Sequence, residues 1–160
     1  MLRVFPALSE DALSQARNLF REYGRTPGVV QCLGDFEDEV LTLPGRYAPP
    51  GGRLLLAFQE GAERPGAAVG CVALREFDRD ICEMKRLYVR PELRGSGAGR
   101  ELVRSLITEA RAIGYKTMVL DTLPSMREAH QLYRALGFQE ISSYQKNPIP
   151  GALFFEFRLR

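Results

Sequence analysis

The chain of 160 residues has no tryptophan, a single histidine and three cysteines. Cys32, Cys71 and Cys82 have no metal-ligand spacing, so no metal centre is expected. An odd, sparse set of thiols fits reduced core cysteines in a cytoplasm, the expected location, although a Cys71–Cys82 disulfide across two strands stays open. No excess of one charge exists: 22 basic residues face 20 acidic ones, for a net charge of +2. That balance, with no basic block interleaved with aromatics, excludes nucleic acid or a membrane surface as the expected partner. No apolar run is long enough to span a bilayer, and MLRVFPALSED lacks the apolar core of a signal peptide. Repeats, low-complexity runs and linkers are also missing, so residues 1–160 read as one domain able to bury a real core.

What the chain does have is a dense stretch from Cys82 to Leu106, CEMKRLYVRPELRGSGAGRELVRSL. Met84, Leu87, Tyr88 and Val89 suit a strand, and Pro91 ends it because proline cannot donate to a ladder. Arg94-Gly95-Ser96-Gly97-Ala98-Gly99-Arg100 follows. Leu102, Val103, Leu106, Ile107 and Ala110 then recur at helical spacing. Strand, glycine-rich turn and helix in this order point backbone N–H groups and a helix N-terminus at one spot, which favours an anion such as a phosphate. Arg94 and Arg100 can add charge-assisted bonds. A P-loop is excluded, since Gly99-Arg100-Glu101 stands where Gly-Lys-Ser/Thr is needed. A dinucleotide fold stays open as a minor reading, because Asp121 ends the next apparent strand, although the glycines alternate and Pro91 and Arg94 intervene.

Val89-x-Pro91-x-x-Arg94-Gly95-x-Gly97-x-Gly99 resembles the acyl-CoA-binding motif of the GNAT superfamily, the acyl-CoA-dependent N-acyltransferases. Ala129-His130-Gln131-Leu132-Tyr133-Arg134-Ala135-Leu136-Gly137-Phe138 is similar to a second motif of that family, A-x-x-L-Y-x-x-x-G-F. The resemblance implies an α/β fold. It has a mixed, mostly antiparallel sheet of about seven strands, helices on both faces, and a splay at a central acyl-CoA cleft.

The order of elements agrees with that outline. A strand from Leu2 to Pro6 leads to a helix capped by Ser9 and ended by Gly24, then a short helix through Phe36, Val40, Leu41 and Leu43. Residues 47–52 should be loop. Strands follow at Leu54 to Phe58, Val69 to Phe77 and the central stretch. After the central helix and its stop at Gly114 come a strand around Val119 and a helix opened by a Ser125–Glu128 capping box. Phe138 to Ile141 and Leu153 to Leu159 are the last strands, with Leu153, Phe155, Phe157 and Leu159 inward.

Acyl transfer from a thioester to an amine needs the donor held, the amine neutral, the thioester oxygen stabilised and the leaving thiolate protonated. The resemblance implies acetyl-CoA as donor. Its pantetheine arm would run along Leu87, Tyr88 and Val89, and the N–H near Leu87 would serve the thioester oxygen. Its pyrophosphate would sit on Arg94, Gly95, Ser96, Gly97, Ala98, Gly99 and Arg100. Tyr133, at the family tyrosine position, is the candidate acid, with a core tyrosine as the alternative; a phenol holds its proton at neutral pH. Glu83 is the candidate for binding the amine or relaying its proton, with a solvated strand residue paired to Lys85 as the alternative. Many relatives carry an asparagine where this chain has Met126, so a cofactor contact there falls to Ser125 or is absent. His130 is expected on the outer face of its helix. The acceptor amine is to be selected by the variable parts, 25–34, 47–52 and 144–151, and the acidic run from Asp35 to Glu39 would favour a cation if it is more than a wet helix face. The expected function is N-acetylation of a small-molecule or peptide amine in a ternary complex, or else sensing of acyl-CoA without catalysis; a homodimer stays open as the assembly.

Overall fold

The computed structural model describes residues 2–27, 29, 35–60 and 66–160. Strand β1 (Leu2–Pro6) is followed by helices α1 (Glu10–Gly24) and α2 (Phe36–Leu41) and by strands β2 (Arg53–Gln59), β3 (Ala68–Asp78) and β4 (Ile81–Val89). Helix α3 (Ala98–Ile113), strand β5 (Thr117–Thr122), helix α4 (Arg127–Leu136) and strands β6 (Gln139–Ile141) and β7 (Leu153–Arg158) complete the chain. The seven strands form one sheet in the order β1-β2-β3-β4-β5-β7-β6. All neighbours are antiparallel except β4 and β5. This is the α/β domain with a mixed sheet expected from the order of elements, and the mostly antiparallel seven-strand sheet that the family resemblance implies. Cys32 and parts of the loops at 25–34 and 61–66 lie outside the described residues.

Strand β2 shows why its apolar run is unbroken. Leu54 and Leu56 join one core with Ala16, Leu19 and Phe20 of α1 and Val40 of α2. Leu55 and Ala57, alternating with them, join the other core with Leu102, Val103 and Leu106 of α3 and Tyr133 of α4. The same alternation separates Cys71 from Cys82, which are free thiols in different cores. The Cys71–Cys82 disulfide is therefore not formed. Phe155 of β7 and Leu159 just beyond it are core residues, and Leu153 and Phe157 pack against them, as the alternation requires.

The ends of the helices carry the local signals. Ser9 accepts from the Ala12 N–H at 3.1 Å and opens α1. Gly114 closes α3 at φ 113°, a left-handed cap in which a side chain would be strained. Helix α2 stops at Leu41, and a 3₁₀ turn at Gly45–Tyr47 takes up the start of the expected loop. The reason is Tyr47, which is 2% exposed, packs on Phe20, and reaches the Glu39 carboxylate with its hydroxyl at 3.1 Å.

Two expectations around α4 need correction. The Ser125–Glu128 capping box is not formed: Met126 is the cap residue and no side chain caps this helix. His130 is not on the outer face. It is 6% exposed, with Nε2 3.0 Å from the Leu123 carbonyl oxygen and its ring beside Phe155. The imidazole ties the β5–α4 connection to the helix, so the loop is held by a buried side chain rather than by its serine.

Candidate active site

The central feature is a place where the sheet comes apart. Strands β4 and β5 pair only at Ile81–Thr117, Cys82–Met118 and Glu83–Val119. Beyond Glu83 the two strands continue without pairing and leave a cleft. The register of β4 against β3 slips at the same level, between Cys71 and Ala73, and Arg86 takes φ 60° there. A bulge with one residue in the left-handed region bends a strand and re-aims the side chains beyond it. The cleft is lined by Met84 to Leu87 of β4, Leu120 to Thr122 of β5, Tyr133 of α4 and also Tyr23, Gln145 and Ile149.

The glycine-rich turn lies where β4 leaves the cleft. Gly95 and Gly97 have φ of 82° and 92°, and a Cβ built on either meets no atom within 4 Å. Open space therefore lies over two backbone positions that only glycine adopts without strain, which is the shape an incoming phosphate needs. Gly99 is different: a Cβ there would stand in ordinary contact with Leu132, at 3.4 Å, so this position faces α4 rather than open space. Ser96 is held by its hydroxyl to the Leu93 carbonyl, and the Ala98 N–H points at that hydroxyl oxygen. Arg94 donates from Nε to the Val89 carbonyl at 3.2 Å and lies over the Tyr88 ring. Its position fixes the turn to the end of β4 and leaves its terminal nitrogens exposed.

Tyr133 packs its ring between Phe138 and Phe155 and lines the cleft. Burial raises its pKa well above the usual phenol value, with Tyr23 and Asp121 adding to the effect. The phenol is thus a neutral proton carrier at physiological pH. Its hydroxyl makes no hydrogen bond among the described residues.

Glu83 is 1% exposed and is not the solvated strand residue that one reading of the sequence allowed. Arg75, its cross-strand neighbour, contacts Oε1 from Nη2 at 2.7 Å and from Nε at 2.9 Å. Tyr144, from the β6–β7 loop, donates its hydroxyl to Oε2 at 2.6 Å, and Lys85 stands 4.0 Å from the same oxygen. Phe77 and Phe154 hold the Tyr144 ring edge-on. The Lys85 ammonium instead bonds Asp121 at 3.1 Å, across the gap between β4 and β5. Burial would raise the Asp121 carboxyl, but Lys85 and a hydrogen bond from Gln145 outweigh it and hold the group below the usual carboxylate range.

The acetyltransferase (GNAT) family model matches residues 13–138 of this chain. An uncharacterised N-acetyltransferase of Schizosaccharomyces pombe is 38% identical over 148 residues, covering 92% of this chain and 88% of that one. The chain belongs to the GNAT acetyltransferase family. A GNAT acetyltransferase from Staphylococcus aureus Mu50 shares the fold at a TM-score of 0.81 and 16% identity, with both chains covered in full. The Salmonella typhimurium putative acetyltransferase yncA, solved with acetyl-CoA, shares it at 0.65 and 23% identity over 99% of this chain and 94% of its own.

As a GNAT protein, the chain is an acyl-CoA-dependent acetyltransferase. Its second motif lends Ala129 and Tyr133 to the cleft, and its first motif follows β4 beyond the cleft. Leu87 and Tyr133 both line it, and the turn from Arg94 to Arg100 follows the same strand. Tyr88 turns away from it into the α1 core, with its hydroxyl on Glu22 at 3.2 Å. Ser125 is exposed in the β5–α4 connection. Glu83 lies behind the cleft wall and not on it. Lys85, Arg86, Asp121 and Gln145 are at the cleft; the residues alone placed Gln145 in the acceptor-selecting part 144–151 and gave the other three no part in acyl transfer. One signal was present: Asp121 already stood out as an acid at the end of its strand.

Proposed function

We propose that this GNAT protein transfers an acetyl group from acetyl-CoA to a primary amine by direct attack in a ternary complex. The observation that carries the reading is the cleft opened where β4 leaves β5, with Leu87 and Tyr133 on its walls and the open glycine turn beyond. Acetyl-CoA supplies the activated acyl group. Backbone N–H groups from Gly95 to Arg100, helped by Arg94 and Arg100, hold its pyrophosphate. The N–H near Leu87, on a strand edge free of its β5 partner, donates to the thioester oxygen as charge develops there. The Tyr133 hydroxyl gives its proton to the departing sulfur. Glu83 acts from behind the wall as a positioning residue, holding Tyr144 and standing next to Lys85. Ser125 remains a cofactor contact only for a part of the molecule outside the cleft.

Thiol release from acetyl-CoA against a panel of amines tests the reading. Turnover with any amine supports it. Tight acetyl-CoA binding with no turnover would instead make the protein a sensor, and tighter binding of NAD than of CoA by calorimetry would overturn both.

A further inference from the structure

Three charged side chains stand among the described residues that line the cleft: Lys85, Arg86 and Asp121. Two are cations and one an anion; Glu39, ion-paired to Arg86 at 2.8 Å, offsets the guanidinium, so the wall carries separated charges of both signs rather than a net charge. Lys85 has three N–H donors, of which one reaches Asp121 at 3.1 Å, while Glu83 is too far at 4.0 Å for a hydrogen bond. Arg86 spends Nε and one Nη2 hydrogen on Glu39, at 2.8 Å and 3.1 Å. The guanidinium is then clamped over Phe36 and near Tyr23, with donors left over. The left-handed turn at Arg86 places this side chain, so strain in the strand is being used to hold a cation at the cleft. Gln145 adds an amide next to Asp121.

Resting on the acetyl-transfer reading, we infer that the acceptor is an amino-acid-like amine, carrying a carboxylate one or two carbons from its amino group. A zwitterion of that length matches the ion pair across the gap. Its carboxylate takes the remaining donors of Lys85 and Arg86, and its ammonium meets Asp121, the one carboxylate among the described lining residues. The reaction balances: the amine nitrogen forms the amide bond, the carbon–sulfur bond of the thioester breaks, and the ammonium nitrogen gives up two protons, one to water before attack and one that replaces the proton Tyr133 gives to the sulfur.

The test is a thiol-release assay with matched sets: amino acids with small, apolar and acidic side chains, each beside its carboxamide and its decarboxylated amine. The amino acid of at least one set should exceed both partners about tenfold in kcat/KM, the size of a single charge-assisted hydrogen bond. Lys85→Met should remove that preference by raising KM for the amino acid, and Lys85→Arg should keep it. Carboxamides or decarboxylated amines turned over as well as the amino acids would overturn the inference while leaving acetyl transfer intact. So would a Lys85→Met protein that slows every member of a set by one factor, since the ion pair is then only a clasp between strands. Failure of all amines would sink the acetyl-transfer reading, and calorimetry of N-acetylated amino acids against N-acetylated amines on the CoA-loaded protein then decides the recognition by itself: equal or absent binding overturns it.

Discussion

Tyr133 shows at the scale of one residue how burial and chemistry separate. Its ring belongs to the core between Phe138 and Phe155, while the hydroxyl has no hydrogen-bond partner among the described residues. Tyr133→Phe should therefore leave the fold intact and lower kcat and kcat/KM together, by about 10²-fold, the lower end for a general acid because a CoA thiolate already leaves readily. Wild-type turnover in the folded variant, measured where chemistry limits the rate, would take Tyr133 out of the mechanism. Gly97→Val should abolish CoA binding by calorimetry. The new Cβ meets no protein atom within 4 Å and the side chain extends into the open space, and at φ 92° it adds backbone strain of about 1–3 kcal/mol. Undiminished affinity would put the pyrophosphate elsewhere. Glu83→Gln removes the charge that Arg75 needs inside the sheet. A loss of about 3–5 kcal/mol in denaturant unfolding is expected for a broken buried pair. A variant of unchanged stability but altered turnover would move Glu83 from positioning to chemistry.

At the scale of the element, β4 is one strand with two halves. Its first half is laddered on both sides, and its second half, past Glu83, pairs only with β3. Gly70 of β3 lets the two backbones stay close at that end: a Cβ there would come 2.8 Å from the Tyr88 carbonyl oxygen and 3.1 Å from Leu102. Gly70→Ala should lower stability by about 1–3 kcal/mol, as overpacking does, and weaken CoA binding with it, because β4 must shift at the cleft. A melting temperature lowered with CoA affinity unchanged would show that the cleft tolerates the shift. Much of this element was legible in the residues: the strand, its stop at Pro91 and the turn behind it follow from local preferences. The bulge at Arg86 was not, because no residue type there demands a left-handed backbone; the register against β3 imposes it. His130 was misjudged although its spacing of three from Tyr133 puts both on one helical face.

Across the whole molecule, buried acids with raised pKa values accumulate. Desolvation by burial is the largest cause for the phenols of Tyr47, Tyr88, Tyr115, Tyr133 and Tyr144 and for the Cys71 thiol, and it pushes Cys82 up to about 12. Each group stays protonated when folded and ionises more readily when unfolded, so its contribution is full below the unfolded value and is lost as pH rises past it. Stability should fall from about pH 8.5 as thiols ionise in the unfolded chain and more steeply above about pH 10 for the phenols, by up to ~1.4 kcal/mol per pH unit per group. Asp121 has the opposite sign: its lowered value favours folding above the unfolded carboxylate range, and that contribution disappears as pH falls through the folded value. Unfolding measured across pH checks both limbs; a flat alkaline limb would mean these phenols are already solvated. The order of elements, the two apolar faces of β2, the Ser9 cap of α1, the Gly114 cap of α3 and the glycine-rich turn were settled by the sequence alone, since each depends on residues a few positions apart. The cleft, the sealing of Glu83 by Arg75 and Tyr144, and the Lys85–Asp121 bridge were decided only by tertiary structure. Their partners come from distant strands and loops, and only the register of the sheet determines which side chains meet.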